Sequence, residues 1–391
     1  MLQACRRPFM LLYIHFPFCR SKCAYCAFAS GPGSREDIAA WTRLVCAEAR
    51  LWGRRLAKPE LQTVYLGGGT PSLLPPESLH RLVHTLQSAF VWPQGIEWTL
   101  EANPDSFQDP AYAKSLYDLG VNRISFGVQS MADRELDLLG RAHTAAQAVR
   151  AVTLAREAGV SNISLDLLWG LPGHTLTQWE HTLEQALALK PRHLSCYGLT
   201  PEPDTPLAGD LEARAIPPLP DEDMLTAMYD HTVDALGQFG LEQYEIANFA
   251  QPGWESQHNS GYWQGWPYLG LGPAAVSTLE GSRWTNPTHL AAYARAVTQQ
   301  TLGQSAHQLT CRERCLETLM LQLRTRAGLD CSTFAREFGT DPLTACPELC
   351  AQLQNQRLAD IAAGTLRLTS AGMLMANSIT ERLSSVLLPS H

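Results

Sequence analysis

The chain has 391 residues, 45% of them hydrophobic, with 30 basic against 38 acidic side chains and a formal charge of -8. That length suits one large domain with an appendage, or two domains, and the acidic balance gives no electrostatic reason to expect nucleic acid as a partner. A mean hydropathy of -0.14 and the lack of any apolar run of about 20 residues predict a soluble protein without a membrane span.

Residues 1–7 are basic, but the apolar residues after them lead directly into a cysteine motif. Cleavage of a signal peptide there would destroy the motif, so a cytoplasmic protein is expected. Residues 11–16 (LLYIHF) read as a buried first strand. Cys19, Cys23 and Cys26 follow at once, spaced C-x3-C-x2-C. Three soft thiolates suit zinc or an iron–sulfur cluster. A closed zinc site needs a fourth ligand, and no cysteine or histidine stands nearby at finger-like spacing. On a four-iron cluster, three thiolates leave one iron open to an exchangeable small molecule. The other eight cysteines (Cys5, Cys46, Cys196, Cys311, Cys315, Cys331, Cys346 and Cys350) read mostly as core or surface thiols. The pairs Cys311/Cys315 and Cys346/Cys350 have the spacing that puts two thiols on one helix face, which leaves a second metal site open.

The spacing then predicts a helix over 34–54, with early acids where the helix dipole favours them. A strand over 63–66 is broken by Gly67-Gly68-Gly69-Thr70-Pro71, and a helix over 76–90 follows. Strands are expected over 96–100, 123–126, 163–168 and 193–197, with the clearest helices over 146–158 and 175–189. Six strands alternating with helices predict an α/β fold with a parallel sheet, closed or partly closed as a barrel. Proline-rich stretches at 201–206 and 216–221 mark a change of register. A helix from 221, a strand near 242–246 and a Trp- and Gly-rich stretch to 279 extend the domain. From 309 the character changes: helices over 310–326, 331–338 and 343–356 precede an alternating stretch at 366–368 and a final helix. This pattern resembles a small winged-helix domain. Its eight arginines, no lysine and eight acids fit a docking or lid element better than a DNA reader.

Polar and glycine signals cluster after the strands, on the face where such barrels keep their chemistry. Gly67-Gly68-Gly69-Thr70 permits close backbone approach, and its N–H groups are expected to face a ligand. Glu101 and Asp166 stand at strand ends, where a carboxylate can accept from a ribose hydroxyl or an ammonium group. Seen alone, either is equally a helix cap or a salt-bridge partner. Arg141 offers a cation for a carboxylate, and Gln129 an amide at another strand end; each is by itself an ordinary surface or turn residue.

Together these residues resemble the radical S-adenosylmethionine (SAM) superfamily, and within it the coproporphyrinogen-oxidase-like proteins of the heme-chaperone type. The resemblance runs through Tyr13-Ile14-His15-Phe16-Pro17-Phe18-Cys19, Gly68-Gly69-Thr70-Pro71-Ser72, Leu100-Glu101-Ala102-Asn103-Pro104, residues 122–130 and residues 166–173. It implies a partial (β/α)6 barrel with a small C-terminal winged-helix-like domain. It also implies a 4Fe-4S cluster on Cys19, Cys23 and Cys26, with SAM chelating the fourth iron and cleaved by an electron from the cluster. Tyr13, Gly68, Gly69, Thr70, Glu101, Gln129, Arg141 and Asp166 would line the SAM site. The implied division is a radical SAM core over 1–250, an extension over 251–308 and the C-terminal domain over 309–391.

His258-Asn259-Ser260-Gly261-Tyr262-Trp263 matches the H-N-x-x-Y-W motif of the heme-chaperone branch. An imidazole is a common heme ligand and the aromatics offer apolar surface; a histidine bonded in a turn beside core aromatics is the equal alternative. The oxygen-independent oxidases carry C-x3-C-x2-C-x-C and a longer N-terminal extension, whereas this chain has Phe28 and about a dozen residues before the first strand. The expectation is therefore a heme chaperone that binds heme and passes it to a client hemoprotein, membrane-associated or not, without a membrane segment of its own. A coproporphyrinogen III oxidase is the alternative, and an acceptor of another tetrapyrrole a third reading. Val276 departs from the pattern, standing where relatives carry a histidine.

Overall fold

The computed structural model of the protein describes residues 9–388; Cys5 and the basic opening on which the targeting expectation rests lie outside the described residues. The chain divides into two compact units, one formed by residues up to Leu225 with Pro267–His307, the other by Thr226–Trp266 with the chain from Gln308 onward.

The first unit is built on six strands: β1 (Phe9–Phe16), β2 (Glu60–Gly68), β3 (Glu97–Ala102), β4 (Arg123–Gln129), β5 (Asn162–Trp169) and β6 (His193–Gly198). They pair side by side in chain order, all parallel. This is the expected partial (β/α)6 barrel. It is an open arc because the outer edge of β1 is taken by β7 (Tyr268–Leu271), also parallel. An antiparallel pair, β8 (Val276–Leu279) and β9 (Ser282–Thr285), continues that edge. The Trp- and Gly-rich stretch thus supplies three strands that periodicity alone does not reveal, each being only four residues long.

Local signals set the crossovers. Helix α1 (Arg35–Arg55) starts on a reciprocal capping box between Ser34 and Asp37, and α2 (Pro76–Ala89) starts on a proline whose missing N–H costs nothing at a first turn. Two further capping boxes, Thr144/Gln147 and Thr175/Gln178, open the helices Ala145–Glu157 and Leu176–Ala188. On one strand face, Ile14, Phe16, Leu66, Trp98, Leu100, Ile124, Phe126 and Leu165 are fully buried, each large aliphatic side chain contributing roughly 1.5–3 kcal/mol. Trp41 on α1 locks this layer, stacking edge-on against Phe16 at 5.0 Å and donating its indole N–H to the His15 carbonyl at 3.0 Å.

The opposite strand face is polar. Register places Tyr65 beside Thr99, Glu101 beside Ser125, and Asp166 beside Ser195 on that face. Parallel sheets are ordinarily apolar on both faces, so a polar inner face marks the inside of the arc as the place to look for a site.

In the second unit, a three-stranded antiparallel sheet of Leu329–Asp330, Thr365–Leu368 and Ala359–Ala362 sits with helices Cys311–Gln322, Cys331–Phe338 and Ala376–Leu387, the winged-helix-like arrangement expected. The helix expected over 343–356 is two pieces, Pro342–Ala345 and Pro347–Asn355. Pro347 supplies no N–H and pushes Cys346 off helical geometry. The strand expected near 242–246 is only Glu242–Gln243, paired with Asn248–Ala250. Among the described residues, no helix is long and apolar enough to cross a membrane.

Candidate functional site

The cysteine loop leaves β1 at the C-terminal end of the arc, with Cys19, Cys23 and Cys26 all partly exposed. Four main-chain bonds anchor it. The N–H groups of Gly69 and Thr70 donate to the carbonyls of Phe16 (2.6 Å) and Phe18 (2.8 Å), Ala24 N–H donates to Leu139 O (3.1 Å), and Leu207 N–H donates to Ala24 O (2.9 Å). The thiols lie close enough to feel one another. Burial pushes the Cys26 thiol pKa up, and neighbouring Cys23 and Cys19 push the same way. Among the described residues, no three His, Cys, Asp or Glu side chains converge as ligands of one ion would.

The glycine run is explained by what lies against it. A Cβ on Gly69 would stand 2.5 Å from the Phe18 carbonyl oxygen and 3.0 Å from the Cys19 sulfur; one on Gly68, whose φ is +110°, would stand 2.6 Å from the His15 ring. The N–H groups of Gly68, Gly69 and Thr70, expected to face a ligand, instead donate within the chain, Gly68 to the Glu101 carboxylate at 2.9 Å. Their work is to seat the cysteine loop and Glu101.

Glu101 also accepts from the Tyr65 hydroxyl at 2.7 Å. Burial raises its carboxyl pKa to about 7, the Tyr65 and Gly68 hydrogen bonds opposing the shift and nearby Asp166 adding to it. Asp166 accepts from Ser125 Oγ at 3.0 and 3.3 Å and from the Ser195 hydroxyl; burial raises its pKa, against the pull of these bonds and of Arg123. Two carboxylates thus share one polar cavity, each braced by hydroxyls from neighbouring strands.

Arg141 lies where the cysteine loop meets the ends of β3 and β4. Its Nη1 donates to the Cys23 sulfur at 3.3 Å, and its Nη2 to Asn103 Oδ1 at 2.8 Å and to the Gly127 carbonyl at 2.6 Å. Its Nε is buried without a hydrogen-bond partner. Burial works against the guanidinium charge, but Tyr25 and Cys23 outweigh it and hold its pKa above the ordinary value. Gln129 is the last residue of β4, with φ +68°, past a register shift after Gly127. A Cβ on Gly127 would meet Gln129 Nε2, Asn103 Oδ1 and Arg141 Nη2 at 3.1–3.3 Å, so these three polar groups ring one point.

Tyr13 points into the same cavity, its ring 6.1 Å from that of Tyr65 and its hydroxyl 3.0 Å from His15 Nδ1. The His15 Nε2 lies 3.1 Å from the Ala29 carbonyl, which fixes the neutral tautomer with Nδ1 as acceptor. Burial lowers the His15 pKa. The first unit therefore gathers Tyr13, Cys19, Cys23, Cys26, Gly68, Gly69, Thr70, Glu101, Gln129, Arg141 and Asp166 on the inner face and C-terminal side of the arc; Asp166 lies within the strand Asn162–Trp169, paired with Ser195, and not at a strand end as expected. His258 belongs to the second unit, in the helix Gln257–Trp263. It is 1% exposed, with its ring edge-on to Tyr262 at 4.8 Å. Tyr65, Ser125 and Ser195, and Asn103 just past β3, carry no individual signal in the sequence. Their signal is positional, one residue in two along each strand, and a hydroxyl or amide there looks like any strand or turn residue.

Residues 13–186 match the radical SAM superfamily and residues 309–375 the HemN C-terminal domain. The chain is 32% identical over 369 residues to the heme chaperone HemW of Bacillus subtilis, spanning 94% of this chain and 97% of that protein. To the heme chaperone HemW of Haemophilus influenzae it is 36% identical over 299 residues, spanning 74% and 76%. Among solved structures, the radical SAM coproporphyrinogen III oxidase HemN of Escherichia coli superposes with a TM-score of 0.81 over 97% of this chain and 91% of that one. At 23% identity, that likeness shows a shared fold.

Proposed function

We propose, from the fact that this chain belongs to the HemW family of the radical SAM superfamily, that it is a cytoplasmic heme chaperone. It binds heme and passes it to a client hemoprotein while carrying a SAM-coordinated 4Fe-4S cluster. The observation that carries this reading is the near end-to-end similarity to a heme chaperone. A reducing compartment fits a site made of three free thiols.

The residues present fit both cofactors. Cys19, Cys23 and Cys26 offer three soft ligands on one loop, which leaves the fourth iron for SAM. Arg141 brings a cation with one unpartnered N–H to the rim of that loop. Glu101 and Asp166 present carboxylates for an ammonium and a ribose, Gln129 an amide, and Tyr13 an aromatic face. Gly68, Gly69 and Thr70 act by holding the cysteine loop and Glu101 in place. When bound, cluster and SAM together supply one-electron chemistry; the chain's own part is to bind, orient and charge-match them.

For heme, His258 is the axial ligand of this reading. Its ring is buried beside Tyr262, so ligation requires the imidazole to become exposed, and a single imidazole without a strong second ligand suits a protein that must release its cargo. Phe28 favours chaperone over oxidase: the position bearing a fourth cysteine in the oxidases is here a phenylalanine, 66% exposed. Anaerobically reconstituted protein, supplied with SAM and reductant, is expected to bind heme and to leave coproporphyrinogen III unchanged. Catalytic formation of protoporphyrinogen would overturn the chaperone reading in favour of the oxidase. Cys19→Ala/Cys23→Ala/Cys26→Ala should abolish the cluster's charge-transfer absorption, and full iron in that variant would remove the cluster from these residues.

A further inference from the structure

Asn103 is the joint of the site. Its Oδ1 accepts from Arg141 Nη2 at 2.8 Å, its Nδ2 donates to Thr70 Oγ1 at 3.0 Å, and its N–H donates to Ser72 Oγ at 3.2 Å. The Ser72 hydroxyl is in turn 2.6 Å from that of Ser106. Both ends of the amide are committed, so the side chain has one orientation. With the Gly127 carbonyl, it fixes Nη2 from two directions. The planar guanidinium then has no freedom left, and Nη1 points at the Cys23 sulfur at 3.3 Å. An unbroken polar chain therefore runs from the glycine turn through Asn103 and Arg141 to one cysteine of the loop.

We propose that Asn103 is a positioning residue that holds Arg141 as a hydrogen-bond donor to Cys23, and that this N–H···S bond sets the reduction potential of the cluster. The inference rests on Cys23 being a cluster ligand. An N–H donor and a positive charge beside a ligating sulfur stabilise the more negative, reduced cluster, and so raise its potential; hydrogen bonds to sulfur are among the main controls on such potentials. Arg141 thereby acts on the cluster itself, through the same head group that offers Nε to a bound carboxylate.

The test compares wild type, Asn103→Leu, Arg141→Lys and the double variant, each as the full chain with its cluster reconstituted anaerobically. Iron content and the midpoint potential, followed by electron paramagnetic resonance without SAM, are the readouts. Asn103→Leu and Arg141→Lys should each keep the wild-type iron content and shift the potential to more negative values. The double variant should shift no further than the larger single change, because both act through one bond. A wild-type potential in Asn103→Leu with full iron would overturn the proposal. If Asn103→Leu fails to take up iron, Arg141→Lys decides alone, and an unshifted potential there overturns it equally. Failure of the wild type itself to assemble a cluster overturns the cofactor reading and this inference with it, an outcome distinct from the other two.

Discussion

The hydroxyl of Tyr65 donates to the Glu101 carboxylate at 2.7 Å across two neighbouring strands. The bond favours the ionised carboxylate, whereas burial, the larger effect, raises its pKa to about 7. Between its ordinary value and about 7, the folded protein holds a proton that the unfolded chain has released. This group's contribution to stability is therefore full at low pH and is lost as pH rises through that window. Binding of an ammonium group has the opposite sign, since it needs the ionised form. SAM affinity of the cluster-loaded protein should rise from about pH 6 to about pH 8. Tyr65→Phe should move the midpoint upward and weaken binding roughly two- to tenfold at the lower pH. A flat profile in equilibrium binding would take Glu101 out of contact with the ammonium.

Gly69, in the turn after β2, and Gly31, just past the cysteine loop, make a matched pair. A methyl on Gly69 would collide with the Phe18 carbonyl and crowd the Cys19 sulfur, while one on Gly31 meets nothing within 4 Å. Gly69→Ala should fold yet lose most of its iron on reconstitution, and Gly31→Ala should keep wild-type iron. Equal iron in the two proteins would mean that the glycine run does not seat the cysteine loop.

Glu48 is a buried carboxylate on α1 that ties the β7–β9 extension to the arc. It accepts from Gly272 N–H and Asn286 Nδ2, each at 2.8 Å, and from the Tyr293 hydroxyl. Glu48→Ala strands several buried donors at once and should cost about 2–4 kcal/mol of stability in denaturant unfolding. Burial raises the Glu48 pKa to about 7, so its contribution also falls as pH rises from the ordinary carboxylate value through about 7. A loss below about 1 kcal/mol would show that the extension is held by other contacts.

Much of this architecture is legible in the sequence, for identifiable reasons. The six strands of the arc stand out because each is a short, mostly apolar run closed by proline, asparagine or glycine, and α1 because Ser34 and Asp37 announce its start. The C-x3-C-x2-C loop needs no structure to be noticed. The three strands over 268–285 are hidden by their length and by their Gly270 and Trp284 content. The hydroxyl set of Tyr65, Ser125 and Ser195 is hidden because its meaning depends on register between strands. Arg141 is visible as a cation, but its bond to Cys23 spans 118 positions of chain and no spacing rule reaches that far. The glycine turn carries the reverse lesson: its composition points to a ligand, while its N–H groups are spent on Phe16, Phe18 and Glu101.

Transfer of heme to a client is read most directly from absorption spectra. Reconstituted protein is loaded with heme, freed of excess, and mixed with an apo-hemoprotein whose holo absorbance is distinct. The holo spectrum of the acceptor should appear as the donor's heme band declines, and His258→Ala should alter the donor's starting spectrum. Heme that stays on this protein at equilibrium with a competent acceptor, or that never binds it, would contradict the claim.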